Sequence, residues 1–128
     1  MTNWLQFLAR FLIAQIFLGA GILKLLNTAE ITQQIASRVS GPLIPLFLIG
    51  AIGVELLGGA ALLVGLRTSW AAALLAAYVL IATSLYHTNF SQPFQGDLFA
   101  KDVAIVGGLV LVAAFGAGRI SLDALLGR

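Results

Sequence analysis

The sequence contains no cysteine and very little charge. Among its 128 residues there is one histidine, and Asp, Glu, Lys and Arg together make up only 9%. Without cysteine, the chain by itself cannot form disulfides, thiolate metal sites or a dithiol exchange centre. A single histidine is too little for a metal site. We therefore predict no metal site, and any thiol chemistry must belong to a partner.

The scarcity of charge also excludes whole classes of protein. Soluble domains carry roughly 25% charged residues, whereas this chain is 60% hydrophobic and has a mean hydropathy of +1.03. Its seven basic and five acidic groups are too scattered for a nucleic-acid-binding surface. The sequence also shows no nucleophile–base pairing and no phosphate-binding loop. The lipid bilayer is the predicted surrounding.

Long apolar runs predict four membrane-spanning helices. A span needs about 20 apolar residues, and segments at about 4–26, 43–66, 70–87 and 99–117 meet this length. Because only helices or closed barrels satisfy the backbone in lipid, we predict an all-α, up-down-up-down four-helix bundle with short loops and a single domain over residues 1–128. Between the first two spans, Ile31, Ile35 and Val39 recur at four-residue spacing, which predicts a short amphipathic helix at the membrane surface.

An even number of spans places both termini on one side of the membrane. The positive-inside rule assigns the more basic side to the cytoplasm, and we predict cytoplasmic termini. The basic residues on the two sides are Arg10, Arg67, Arg119 and Arg128 with the termini, against Lys24, Arg38 and Lys101 opposite.

Two ionisable residues lie deep within predicted spans, Arg10 and Glu55. A charge in mid-bilayer is costly, so both side chains are expected to face the bundle interior. One interpretation is an Arg10–Glu55 ion pair that fixes the helix register. The other is that Glu55 binds a ligand or relays a proton. On the first predicted helix, one stripe contains the polar residues Gln6, Arg10 and Lys24 together with Phe17 and Gly21.

Four further ionisable residues gather at the opposite end of the bundle: Lys24, His87, Lys101 and Asp102. They come from three predicted helices and lie at similar depth. Such a polar mouth suits a quinone headgroup or small polar ligand, with His87 as a proton exchanger. Alternatively, the lysines extend to the membrane surface and Asp102 is favoured by the dipole at its helix N-terminus.

The order and spacing of four segments resemble the DoxX family of small four-helix membrane proteins. These segments are "ARFLIAQIFLGAGILKL", "GPLIPL", "ELLGGAALLVGLRT" and "FAKDVAIVGGLVLVAAFGAGRISLD". The resemblance implies an inner-membrane protein associated with redox chemistry, because relatives include a subunit of a thiosulfate:quinone oxidoreductase. It assigns no catalytic residue. Since this chain lacks cysteine, electron transfer would need a bound quinone, another cofactor or a redox partner subunit.

The leading hypothesis is therefore a redox-associated membrane subunit that binds a quinone-like or small apolar ligand between its helices. The alternatives are a non-catalytic scaffold or assembly factor, and a small transporter. The sequence does not determine an oligomeric state.

Overall fold

The computed structural model describes residues 2–128, and no strand occurs among them. The helices are α1 (Thr2–Leu26), α2 (Thr28–Ala36), α3 (Leu43–Val64), α4 (Thr68–Tyr86), α5 (Gln95–Phe115) and α6 (Leu122–Leu125). Helices α1, α3, α4 and α5 are each long and apolar enough to cross a membrane. The all-α class and the number of predicted spans are thus confirmed, and α2 is the predicted short helix between the first two spans.

The first two spans, α1 and α3, run in opposite directions. Arg10, in the first half of α1, contacts the last turn of α3. Lys24, near the end of α1, instead contacts Glu55 in the middle of α3. The backbone N–H of Arg119 donates to Asn3 Oδ1 at 3.2 Å, so the segment after α5 returns to the start of α1. Both termini therefore lie at the same end of the bundle.

The observed helix ends differ from the predicted ones for local reasons. α3 ends at Val64 because Gly65 adopts a left-handed conformation (φ 74°), which stops a helix at little cost for glycine. α5 begins at Gln95, four residues before the predicted start at residue 99, because the prediction counted only apolar residues and the first turn of α5 is polar. An acidic residue there, Asp97, is favoured by the helix dipole. Counting apolar residues therefore misplaces the start of α5.

Small side chains and close approach hold the bundle together. A Cβ added to Gly21 of α1 would lie 2.6 Å from Leu56 Cδ2, so any larger residue there would force Leu56 of α3 to shift. Large apolar side chains such as Leu57, Trp70 and Phe115 instead remain exposed on the outside, where acyl chains surround a membrane bundle. The buried core consists of Ala14, Phe17, Leu62, Ala72, Leu75, Ala76, Val79, Leu109 and Val112.

One turn of α3 is a π-helix, Val54–Gly58, and it contains Glu55. A π turn widens the helix by one residue and is often found at functional sites. Here Glu55 and Gly58 are both buried. The apolar sequence around Glu55 gave no signal for this turn, and we did not predict it.

The start of α4 is closed by the C-terminal segment. Asp123 Oδ1 accepts from the backbone N–H of Arg67 at 2.7 Å, and Oδ2 accepts from that of Thr68 at 2.9 Å. Burial alone would raise the pKa of Asp123, but these backbone donors and the charge of Arg128 together hold the pKa below its ordinary value. The carboxylate thus satisfies donors that the helix start leaves open.

We expect Asp123→Asn to lower the stability of the detergent-solubilised protein by about 1 kcal/mol at neutral pH, since a capping group is weakened. Because the folded pKa is lowered, this contribution is complete above the unfolded value of about 3.9 and is lost as pH falls through the folded value. The difference from wild type should therefore close in acid. Thermal melts followed by circular dichroism at several pH values measure it.

The matched control is Asp97→Asn, an exposed carboxylate in the first turn of α5. It should change stability less, because Asp97 does not close another helix. Equal losses in both variants, or a difference that persists in strong acid, would contradict the capping role of Asp123.

Candidate ligand-binding site

Arg10 does not pair with Glu55, so the predicted ion pair is wrong. The Arg10 side chain is buried, with 1% of its surface exposed. Its Nη1 donates to the carbonyl oxygens of Leu62 and Leu63, each at 2.9 Å, and its Nη2 donates to that of Ile120. Every one of these partners is a backbone oxygen. Arg10 therefore joins α1, the end of α3 and the C-terminal segment.

The end of α3 explains why Arg10 binds carbonyls. The last four carbonyl groups of a helix lack partners within it, and they form the negative end of the helix dipole. α3 ends at Val64, so the carbonyls of Leu62 and Leu63 belong to this set. A guanidinium with its planar fork of donors can bind several of them at once. These groups lie within reach of Arg10, whereas Glu55 has a different partner.

Glu55 pairs with Lys24. Lys24 Nζ lies 2.9 Å from Glu55 Oε1, and the Tyr78 hydroxyl donates to the same oxygen at 2.6 Å. The three residues come from α1, α3 and α4, so this cluster joins three spans. The Glu55 side chain is 5% exposed and that of Lys24 is 22% exposed. An ammonium group and a hydroxyl therefore converge on one oxygen of a buried carboxylate.

The cluster lines a cavity of about 800 Å³ that lies among all four spans and α2. Most of its wall is apolar, and its apolar lining residues include Phe17, Val54 and Val79. Two further lining residues, Leu46 of α3 and Ile81 of α4, are 64% and 59% exposed. The cavity is therefore open on its outer side, between α3 and α4.

The residues of the predicted mouth line the same cavity. His87 Nε2 lies 3.9 Å from Asp102 Oδ2, and Lys101 Nζ lies 3.7 Å from Asp102 Oδ1. The side chains of Asp102, His87 and Lys101 are 14%, 27% and 57% exposed, against 5% for Glu55. The structure thus brings together five of the six predicted site residues, with Glu55 most enclosed and Lys101 at the rim. Arg10 alone lies elsewhere.

Sequence reasoning missed several polar residues of the cavity wall. Tyr78 was passed over because its hydroxyl gives no signal within an apolar run. Arg38 was considered only as a loop charge, yet its guanidinium lies 5.9 Å from the centre of the Tyr86 ring. Gln95 does not line the cavity itself and lies outside the predicted span 99–117, but its Oε1 lies 3.3 Å from Nδ1 of the lining residue His87. The four-residue spacing from Tyr78 through Ala82 to Tyr86 could have indicated a shared face of α4.

We expect the stability effects of Arg10→Gln and Glu55→Gln to add in the double variant, because the two side chains make no direct contact. Arg10→Gln by itself should cost about 3 kcal/mol, since it leaves buried carbonyls without donors. Denaturant unfolding in one detergent measures all the variants.

Lys24→Gln with Glu55→Gln is the matched comparison, because these two side chains are in contact. This pair should show coupling of about 1 kcal/mol or more. Recovery of stability in the Arg10–Glu55 double variant, without coupling in the Lys24–Glu55 pair, would restore the original ion-pair hypothesis.

Comparison with known proteins identifies the family. The DoxX family model matches residues 5–88, which is more than half of the chain. The inner membrane protein YqjF of Escherichia coli (strain K12) is 34% identical over 121 residues, which cover 94% of this chain and 90% of that protein. No solved structure matches. With its four apolar helices, the chain belongs to the DoxX family and is a multi-pass inner membrane protein.

Proposed function

We propose that this protein is a redox-associated membrane subunit that binds a small, mostly apolar ligand with a polar headgroup, such as a quinone, in the cavity around Glu55. The observation that carries the proposal is the combination of an apolar wall with one enclosed charged cluster. Small-molecule sites typically have volumes of about 300–1,000 Å³ and a few polar groups that fix orientation. The cavity, at about 800 Å³, falls within this range.

The position of the opening supports a ligand that dissolves in the membrane. Leu46 and Ile81 border the cavity and are exposed on the outside of the bundle. A ligand with an apolar tail can enter there directly from the acyl chains. Its headgroup would then approach Glu55, and its tail would remain among apolar side chains. A strongly polar ligand from water would gain little from such walls.

The redox part of the proposal rests on the family resemblance and on the composition of the chain. No cysteine is present, so the protein itself offers no thiol to oxidise. Electrons would be carried by the bound ligand or by a partner subunit. The role of the protein in this scheme is to bind and orient the ligand and to exclude water from it.

A scaffold function is the second candidate, and the contacts of Arg10 favour it. A buried arginine whose terminal nitrogens bind only backbone carbonyls holds helices in place, and Arg10 does not line the cavity. If the Lys24–Glu55 contact served the same purpose, the cavity would be a lipid-filled gap. The two candidates differ in whether changes to the cavity wall alter ligand binding without altering the fold.

We expect Ala82→Leu to weaken ligand binding roughly tenfold or more. Ala82 lines the cavity, and extra methylene groups forced into occupied space cost about 1–3 kcal/mol. Equilibrium dialysis in detergent would measure binding of a radiolabelled short-chain benzoquinone and, without oxygen, of its hydroquinone. Mass spectrometry of extracts from freshly purified protein would identify any ligand already bound.

The matched control is Ala77→Leu on the same helix, because Ala77 is exposed and does not line the cavity. It should bind both probes as wild type does. If neither oxidation state binds to wild type and no ligand is extracted, the ligand-binding proposal fails. A protein partner that copurifies with such an empty protein would support the scaffold.

We also propose that both termini face the cytoplasm, which the excess of basic residues at that end supports. A green fluorescent protein fused after Arg128 should fluoresce, and alkaline phosphatase at the same position should be inactive. Alkaline phosphatase fused after Thr88, in the loop between α4 and α5, should be active. The reverse pattern would invert the assigned orientation.

A further inference from the structure

The carboxylate of Glu55 uses only one of its two oxygens. Both donors, Lys24 Nζ and the Tyr78 hydroxyl, bind Oε1. Oε2 is buried and has no hydrogen-bond partner among the described residues. A buried polar atom without a partner is costly, and more so when it is charged. Such an atom, on a residue that lines a cavity, marks a position for a group that the chain does not supply.

The other polar residues on the cavity wall have positions or contacts of their own. Tyr86 packs beneath Arg38, His87 contacts Gln95, and Lys101 lies near the rim beside Asp102. The two polar side chains that contact Glu55, Lys24 and Tyr78, both bind Oε1. A group that occupies the cavity is therefore the candidate partner of Oε2.

The contact between Lys24 and Glu55 determines the kind of partner. A carboxylate paired with an ammonium group only accepts hydrogen bonds, so a carbonyl or ether oxygen placed at Oε2 would be repelled. Lys24 already neutralises the carboxylate at 2.9 Å, and a second cation would gain little from a pair that is neutral overall. The group that fits best is a neutral hydrogen-bond donor.

We propose that the cavity selects ligands whose headgroup presents a hydroxyl to Glu55 Oε2, and so binds a phenol or hydroquinone in preference to the matching quinone. This inference rests on the proposed function and adds the polarity of the headgroup to it. This preference requires no electron transfer at the site, because it is a difference in how tightly the bundle binds two headgroups or two oxidation states.

Two pairs of probes test the selectivity on wild-type protein. The first pair is the short-chain benzoquinone and its hydroquinone, measured without oxygen. The second is a para-alkyl phenol and its methyl ether, which differ in the donor and undergo no redox change. We expect the hydroxyl-bearing member of each pair to bind at least about tenfold more tightly, since hydrogen bonds to charged groups are stronger than those between neutral groups.

Two variants connect the selectivity to the correct oxygen. Glu55→Gln replaces the carboxylate with an amide that can also donate, so the preference for hydroxyl-bearing probes should fall to within about twofold or reverse. Tyr78→Phe removes a donor from Oε1 only, and it should keep the preference. Circular dichroism and gel filtration establish that both variants are folded.

The outcomes separate this inference from the proposed function. Wild-type protein that binds both members of each pair equally would overturn the selectivity and leave the ligand-binding function intact. Absence of binding for all four probes would refute both. A preference that survives in Glu55→Gln would also overturn the inference, because the selecting group would then lie elsewhere on the wall.

Discussion

Within hydrocarbon a charge or an open backbone carbonyl has no water to bind, so each must find its partner inside the protein. In this bundle that requirement is met by contacts between elements distant in sequence. Arg10 binds carbonyls at the end of α3 and in the C-terminal segment, and Lys24 binds Glu55. Both residues join α1 to α3, which explains how spans with few large core side chains keep a defined register.

The two buried charges differ in their position relative to the cavity, and this difference is the basis for the structural role and the binding role proposed for them. Arg10 directs both terminal nitrogens of its guanidinium at backbone oxygens; its Nε has no partner among the described residues, but Arg10 does not line the cavity. Glu55 has two donors on one oxygen, none on the other, and lies on the cavity wall. The same cost of burial that fixes Arg10 in place therefore leaves Glu55 able to gain from a ligand. Burial depth alone would not have distinguished them.

Composition and periodicity sufficed to predict the helical class, the four spans and the interior stripe of α1. Arg10, Phe17 and Gly21 are indeed buried on that helix. The pairing of charges was not predictable, because it depends on relative depth and on backbone groups that carry no sequence signal. The carbonyls of α3 became partners for Arg10 only because Gly65 ends the helix there. The π turn around Glu55 likewise has no signal in the apolar sequence that surrounds it.

The arrangement of the cavity suggests how little binding energy a membrane ligand would need. The opening beside Leu46 and Ile81 faces the acyl chains, so an apolar ligand would reach it at its concentration in the bilayer, which exceeds that in water. Burial of the tail then contributes little to selectivity, since lipid and cavity wall are similarly apolar. Discrimination must come from the headgroup. In such a setting one unshared carboxylate oxygen is enough to distinguish ligands that differ only in a hydroxyl hydrogen.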